Sequence, residues 1–234
     1  MTQLSIQAHD LSVRFKDRLL FHVPQLILGP QDAVYLTGDN GVGKTTLLKV
    51  LSGLQKPTTG TINLAKHSFL RRLFCAQSNS GVVYMHQTPY MFDGSILDNV
   101  CYGLKFSVGN RRHRRTEAIN ALRMVGLETL ADEHISVLSG GERQRVAMAR
   151  AWVLKPGVLL MDESSASLDP ESIERLVVLC KDLIERGTSL VITSHQKNAL
   201  TDLCRRQWTI SDSKLIERAD LQLVDEDKNT YAYA

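Results

Sequence analysis

The chain has 234 residues, a net charge of +3, a hydrophobic fraction of 43% and a charged fraction of 23%. That is ordinary globular composition, with chain enough for a large core and too little charge to demand a nucleic acid or a membrane surface. Four scattered cysteines without a C-x-x-C pair read as reduced thiols of a cytosolic protein rather than a small disulfide scaffold, and no apolar run is long enough for a membrane span or a secretory signal.

Taken in order, Leu4, Ile6, Ala8, Leu11, Val13 and Phe15, then Leu26, Ile27 and Leu28, alternate or nearly so. With turn candidates at Asp17-Arg18 and Gly29-Pro30, they predict antiparallel strands over 4–28. Ala33, Val34, Tyr35 and Leu36 form a short apolar strand that runs into Gly38-Asp39-Asn40-Gly41-Val42-Gly43-Lys44-Thr45-Thr46. That run fits G-x-x-x-x-G-K-[ST], and Leu47, Val50, Leu51 and Leu54 continue it at helical spacing, with Gly53 as a stop. Strand, glycine loop and helix together make a phosphate cradle. The glycines let successive N–H groups point into one concavity, and the new helix adds the positive end of its dipole. Lys44 can reach the β- and γ-phosphates of ATP or GTP, and the Thr45 hydroxyl can ligate Mg²⁺.

Residues 57–60 read as a turn, 61–64 as a strand, 66–80 as an irregular basic connection, and 81–86 as a strand ending at Gln87. Helices are expected over 95–104, 116–125 and 127–131, with Gly126 as a stop. The run Arg111-Arg112-His113-Arg114-Arg115 reads as a solvated helix entrance in preference to a nucleic-acid patch. Beyond it, a helix over 142–153, a strand over 158–161, a helix over 172–185 and a strand over 190–193 alternate. Alternation of this kind, with strands that are apolar throughout, predicts a parallel sheet covered on both faces. The stretch from 208 to 234 shows one strand or helix at most and a polar tail.

Two further groups carry chemistry. Val158 to Met161 ends in Asp162-Glu163, which puts two acids at the carboxyl end of a buried strand. Behind a phosphate loop, Asp162 suits a Mg²⁺ ligand and Glu163 suits a base for an attacking water. Leu138-Ser139-Gly140-Gly141-Glu142 combines an N-cap serine with two glycines at a helix start, a second anion-binding terminus. One phosphate loop already serves this chain's nucleotide, so the second terminus makes sense facing the nucleotide of another copy.

Together these segments resemble the ATP-binding cassette (ABC) ATPases, and the resemblance covers the chain to at least His195. It implies an α/β fold: a P-loop NTPase core with a mainly parallel sheet, an N-terminal antiparallel β subdomain, and an inserted helical subdomain carrying the signature motif. The division expected is 1–35 and 58–86 for the β subdomain and core strands, 36–57 and 140–200 for the nucleotide-binding core, 88–139 for the helical subdomain, and 201–234 for a C-terminal extension. It implies Gln87 as the residue sensing Mg²⁺ and the attacking water, and His195 as the switch histidine on the γ-phosphate. Ser139, Gly140, Gly141 and Glu142 would act on the partner subunit's ATP, and Ser167-Leu168-Asp169 would cross to that partner. Phe15 is the candidate ring for stacking on adenine, and Phe21 the weaker alternative. The sequence departs from the family pattern at Ser164-Ser165 and at Gln196, which touches loop rigidity and no catalytic group.

The resemblance further implies an ATP-hydrolysing transporter subunit on the cytoplasmic face of the membrane. Its partners would be a second copy, transmembrane permease subunits and a periplasmic or extracellular substrate-binding protein, with no nucleic acid. Tyr90, Met91 and Phe92 are expected to line a groove for the permease, with burial inside the helical subdomain as the alternative for Met91 and Phe92. The run 87–100 is similar to importers of oxyanions such as tungstate, and to those of phosphate and amino acids; import of a small anion such as tungstate is the expected function. The rivals are an exporter ATPase, a soluble ABC ATPase acting on DNA or the ribosome, and a non-hydrolysing binding module. The DNA-repair members carry long coiled coils and the translation members two cassettes, and neither is present; intact Glu163 and His195 oppose the last.

Overall fold

The computed structural model describes residues 4–66, 81–104, 110–166 and 168–219. Ser167, most of the expected 66–80 connection and the tail from 220 lie outside the described residues. The hairpin β1 (Leu4–Phe15) and β2 (Arg18–Leu28) is antiparallel, and β4 (Thr59–Lys66) pairs on the far side of β1. The apolar phase changes from Ile6 and Ala8 to Leu11 and Val13 across Asp10, which takes a left-handed φ of 46°. The β1–β4 register slips at the same place, between His9 and Ser12. A slip of this kind lets both halves of a long strand send apolar side chains to one core.

The parallel part holds β3 (Ala33–Thr37), β5 (Val82–Met85), β6 (Val158–Met161) and β7 (Ser189–Thr193). Every residue of β6 and β7 is buried, as their unbroken apolar runs require of strands covered on both faces. β8 (Arg206–Ser211) extends this ladder parallel to β3, and β9 (Lys214–Ala219) returns antiparallel beside it. Among the described residues, nine strands join in the order β4-β1-β2-β9-β8-β3-β7-β6-β5. Among the described residues the antiparallel and parallel parts meet at a single pair, His22 with Lys214, and the His22 N–H donates to the Ser213 carbonyl at 2.7 Å.

Two hydrophobic clusters lie in this frame. One packs α1 (Lys44–Leu51) among Ile6, Phe21, Leu36, Leu160, Val191 and Trp208. The other joins Leu159, Met161, Leu190 and Ile192 to α2 (Ile96–Leu104), α3 (Arg111–Met124), α4 (Gly140–Val153) and α5 (Pro170–Glu185). The fold is therefore the expected mixed α/β arrangement, with both sheet types in one continuous sheet.

Several boundaries differ. α3 begins at Arg111 and not at 116, so the basic run lies inside the helix; the Asn110 side chain caps it by accepting from the His113 N–H at 2.8 Å. Residues 128–130 form a 3-10 turn and not an α-helix. The 57–60 turn is shorter than expected, since β4 starts at Thr59. The β8–β9 hairpin was illegible because charged residues share it: Arg206 pairs with Asp32 and Glu217 beside the fully buried Trp208.

Phe21 is 0% exposed, in the cluster around α1. Phe21→Ala should lower unfolding stability by about 3–5 kcal/mol through the cavity it leaves. A urea midpoint at the parental value would show that the site collapses or was never packed.

Candidate functional site

The phosphate loop follows β3 directly. Gly38 has φ 141° and Gly43 φ 112°; a Cβ at the first would stand 2.6 Å from the Ile210 carbonyl oxygen, and at the second 3.0 Å from Phe21 Cδ1. Only glycine fits both. Lys44 is buried at the loop centre, where its Nζ donates to the Gly38 and Asp39 carbonyls at 2.7 and 3.0 Å. Asp39, Asn40, Gly41 and Thr45 are exposed, and Val42 and Thr46 half-buried. The first amides of α1 have no intrahelical acceptor, which leaves the loop rich in donors for an anion. Phe15 is 68% exposed at the end of β1. Phe21, the alternative ring, is excluded from stacking by its burial beneath Gly43.

Asp162 and Glu163 follow β6, and the strands on either side complete their surroundings. Asp162 is 4% exposed. Its Oδ2 accepts from the Tyr84 hydroxyl of β5 at 2.7 Å, and its Oδ1 from the Thr193 hydroxyl of β7 at 3.1 Å. Burial first, and then Asp162, push the Tyr84 phenol well up, so it stays a proton donor throughout the neutral range. Glu163 takes a left-handed φ of 49°, a conformation that costs a non-glycine residue on the order of 1–3 kcal/mol. Its N–H donates to Thr193 Oγ1 at 2.8 Å, and its carboxylate stands 3.0 Å from His195 Nε2. The carboxylate is thus turned back over the end of β7, beside the histidine that follows it. The loop that departs from the family pattern is tied down: Ser165 is buried and accepts from Asn198 at 3.1 Å, while Ser164 is 2% exposed.

Gln87 is exposed just after β5. The buried Gln144 of α4 donates to the Gln87 carbonyl at 3.3 Å and to the Ser164 carbonyl at 2.9 Å, tying the glycine helix to both loops of the site. Ser139 caps α4. Its N–H and hydroxyl donate to Glu142 Oε2 at 2.8 and 2.7 Å, and the Glu142 N–H returns to Ser139 Oγ at 3.3 Å. Gly140 is exposed, and a Cβ there would meet nothing within 4 Å, so this chain's own packing does not require that glycine. Asp169 caps α5 by accepting from the Ser172 N–H and hydroxyl at 2.8 and 3.0 Å, which draws its carboxyl below the usual range. The donors fit Mg²⁺: Thr45, Gln87 and Asp162 offer hard oxygens, and such a cation completes its shell with phosphate and water.

Sequence reading missed Tyr84, Gln144 and Thr193. Tyr84 and Thr193 look like ordinary strand residues, and only the pairing of β5, β6 and β7 brings their hydroxyls to Asp162. Tyr90 and Phe92 line a groove of about 470 Å³ with Tyr84, Tyr102, Arg150 and Leu154. Met91 does not; it packs against the core.

Phosphate loop, strand-end acids and capped glycine helix thus stand on one frame of mixed sheet and helices, the arrangement of an ATP-binding cassette. A family model described as "ABC transporter" matches residues 22–166, well over half of the chain, and the chain belongs to that family. A methionine import ATP-binding protein, MetN 1 of Lactiplantibacillus plantarum, is 31% identical over 93% of this chain and 64% of its own length. MetN of Bacillus subtilis is 30% identical over 80% of this chain and 56% of its own length. The chain therefore spans less than two thirds of these curated relatives. Among solved structures, cbiO1 of Clostridium perfringens, part of the ABC transporter complex cbiONQ, has a TM-score of 0.77 at 24% identity, covering 95% of this chain and 91% of that one. A dimeric post-hydrolysis state of the cassette MJ0796 bound to ADP and Pi has a TM-score of 0.76 at 23% identity, covering 92% and 98%. No helix among the described residues is long and apolar enough to cross a membrane.

The capping box makes acid sensitivity testable. Hydrogen bonds from Ser139 hold the Glu142 carboxyl below the ordinary glutamate range. Its stabilisation is present above the unfolded pKa and lost as pH falls through the lowered folded one. Glu142→Gln keeps the cap geometry without the titration. The variant should therefore lose less stability than the parent between about pH 5 and pH 3, read as urea midpoints at each pH. Equal losses would exclude Glu142 from the acid response.

Proposed function

We propose that this chain hydrolyses ATP to drive transport across a membrane, as the ATPase subunit of an importer. The observation that carries it is the Glu163–His195 contact of 3.0 Å, beside Asp162 and behind the phosphate loop. In this reading the loop from Gly38 to Thr46 binds the phosphates, Lys44 neutralises the β- and γ-phosphate charge, and Phe15 stacks on adenine. Mg²⁺, held by Thr45, Asp162 and Gln87, supplies positive charge against the phosphates when bound. Glu163 accepts a proton from the attacking water, and His195 holds the Glu163 carboxylate and reaches the γ-phosphate. Ser139, Gly140, Gly141 and Glu142 close over the ATP of a second copy, consistent with an exposed helix start whose Gly140 has no packing reason in its own chain. Asp169 lies in the segment that crosses to that copy. The division into β subdomain, nucleotide-binding core, helical subdomain and C-terminal extension remains part of this reading.

Glu163→Gln keeps the side chain's size and hydrogen bonding but removes the proton acceptor. Hydrolysis should fall by about two or more powers of ten, the scale of a lost general base. The undepleted ATP then favours the closed pair by mass action. With ATP and Mg²⁺, the variant should move from monomer to dimer in size-exclusion chromatography, and adding Ser139→Arg should reverse this. A variant that turns over at the parental rate would remove Glu163 from catalysis; one that stays monomeric at saturating ATP would count against the paired site.

The cytoplasmic face of a membrane and separate permease subunits follow from this reading, and an external substrate-binding protein follows from import. The curated relatives named above are methionine importers, which supports an amino acid as cargo; they give tungstate, expected from residues 87–100, no support. The groove of Tyr84, Tyr90, Phe92, Tyr102, Arg150 and Leu154 suits a short amphipathic helix of the permease, and Tyr90, 71% exposed, offers its ring there. Tyr90→Glu should uncouple ATP turnover from transport in reconstituted vesicles while the isolated chain still binds ATP. Transport at the parental rate would move the docking surface elsewhere.

A further inference from the structure

We propose that Tyr84 and Thr193 are positioning residues that fix the Asp162 carboxylate for a divalent cation; this rests on the metal role proposed for Asp162. A carboxylate torsion is broad, so an aspartate at a strand end can swing its plane unless something holds it. Here the two neighbouring strands each supply one hydroxyl, and each hydroxyl takes a different oxygen. Tyr84 comes from β5 to Oδ2 at 2.7 Å, and Thr193 from β7 to Oδ1 at 3.1 Å. Two donors on two oxygens define a plane, where one donor would leave a pivot. Each oxygen keeps acceptor capacity for a cation or its water.

Thr193 has a second duty. It is 0% exposed, and its hydroxyl oxygen accepts the Glu163 N–H at 2.8 Å while the hydroxyl donates to Asp162 Oδ1 at 3.1 Å, with the Met161 carbonyl a longer second acceptor at 3.4 Å. One oxygen atom therefore sets the orientation of the metal-facing carboxylate and anchors the left-handed backbone of the neighbouring acid. The spacing between the two acids depends on it. Hydrogen-bond partners of this kind orient a ligating group, and their loss typically lowers metal affinity. The plainer alternative is that the hydroxyls only satisfy buried polar atoms. It predicts lost thermal stability and no effect confined to the metal.

The 234-residue chain with ATP would be titrated with Mn²⁺ and read by electron paramagnetic resonance, alongside calorimetric ATP binding in EDTA. Tyr84→Phe and Thr193→Val should each weaken Mn²⁺ binding by about 10–100-fold. ATP affinity in EDTA should stay at the parental value. Thr193→Ser, which restores the hydroxyl, should recover Mn²⁺ affinity even though it packs less well. Parental Mn²⁺ affinity in Tyr84→Phe and Thr193→Val, with Asp162→Asn weakened, would overturn the positioning role and leave the metal role standing. Parental affinity in Asp162→Asn would overturn the metal role itself. Equal losses with and without metal would assign the two hydroxyls to packing alone. If Thr193→Val does not fold, Tyr84→Phe decides the matter by itself.

Discussion

Asp162 brings a carboxylate to the interior edge of a sheet, and the surrounding structure is arranged to keep that charge in a defined place. An isolated buried carboxylate is expensive unless donors surround it. β6 delivers it, β5 and β7 supply hydroxyls from either side, and the parallel register that aligns Met85, Met161 and Ile192 decides which side chains arrive together. The apolar cover on both sheet faces holds that register. Helix α4 extends the arrangement through Gln144, whose amide holds the carbonyls of Gln87 and Ser164. The acid pair, the glutamine loop and the glycine helix thus share one hydrogen-bonded framework.

What was legible in the sequence divides along a physical line. Residues whose position demands a backbone shape announced themselves: Gly38 and Gly43 occupy conformations and spaces that exclude a side chain, and Ser139 caps with Glu142 three residues on. The runs of β6 and β7 were legible for the same reason, since full burial leaves no room for polar alternation. Residues that act through side chains arriving from distant strands were silent. Tyr84 and Thr193 have nothing in their local pattern to set them apart. The preference for Phe15 over Phe21 was already in the sequence, and the exposure of the first ring and the burial of the second agree with it. The α3 boundary failed because a polar helix start carries no apolar rhythm, and one asparagine cap decides it.

The basic run from Arg111 to Arg115 illustrates how position changes the meaning of charge. Three of its arginines lie in the first turn or just beyond, where the helix dipole is unfavourable to cations and no acid precedes them. Arg115 finds Asp132 at 3.2 Å, and the side-chain cap of Asn110 holds the start. The run is a solvated helix entrance, as its length suggested, and the family assignment does not depend on it.

The single-pair seam between β2 and β9 has a mechanical meaning. Long ladders resist shear because many hydrogen bonds must slip together, whereas a junction of one residue pair acts as a rivet between two plates. Phe15, at the tip of the first hairpin, belongs to one plate, and the phosphate loop after β3 to the other. Phe21, next to the rivet, lies under Gly43 and packs in one buried cluster with side chains of both plates. On the proposed reading, a nucleotide held at its base by Phe15 and at its phosphates by the loop would bridge that joint, bracing the two plates against rotation about their only strand-to-strand fastening among the described residues.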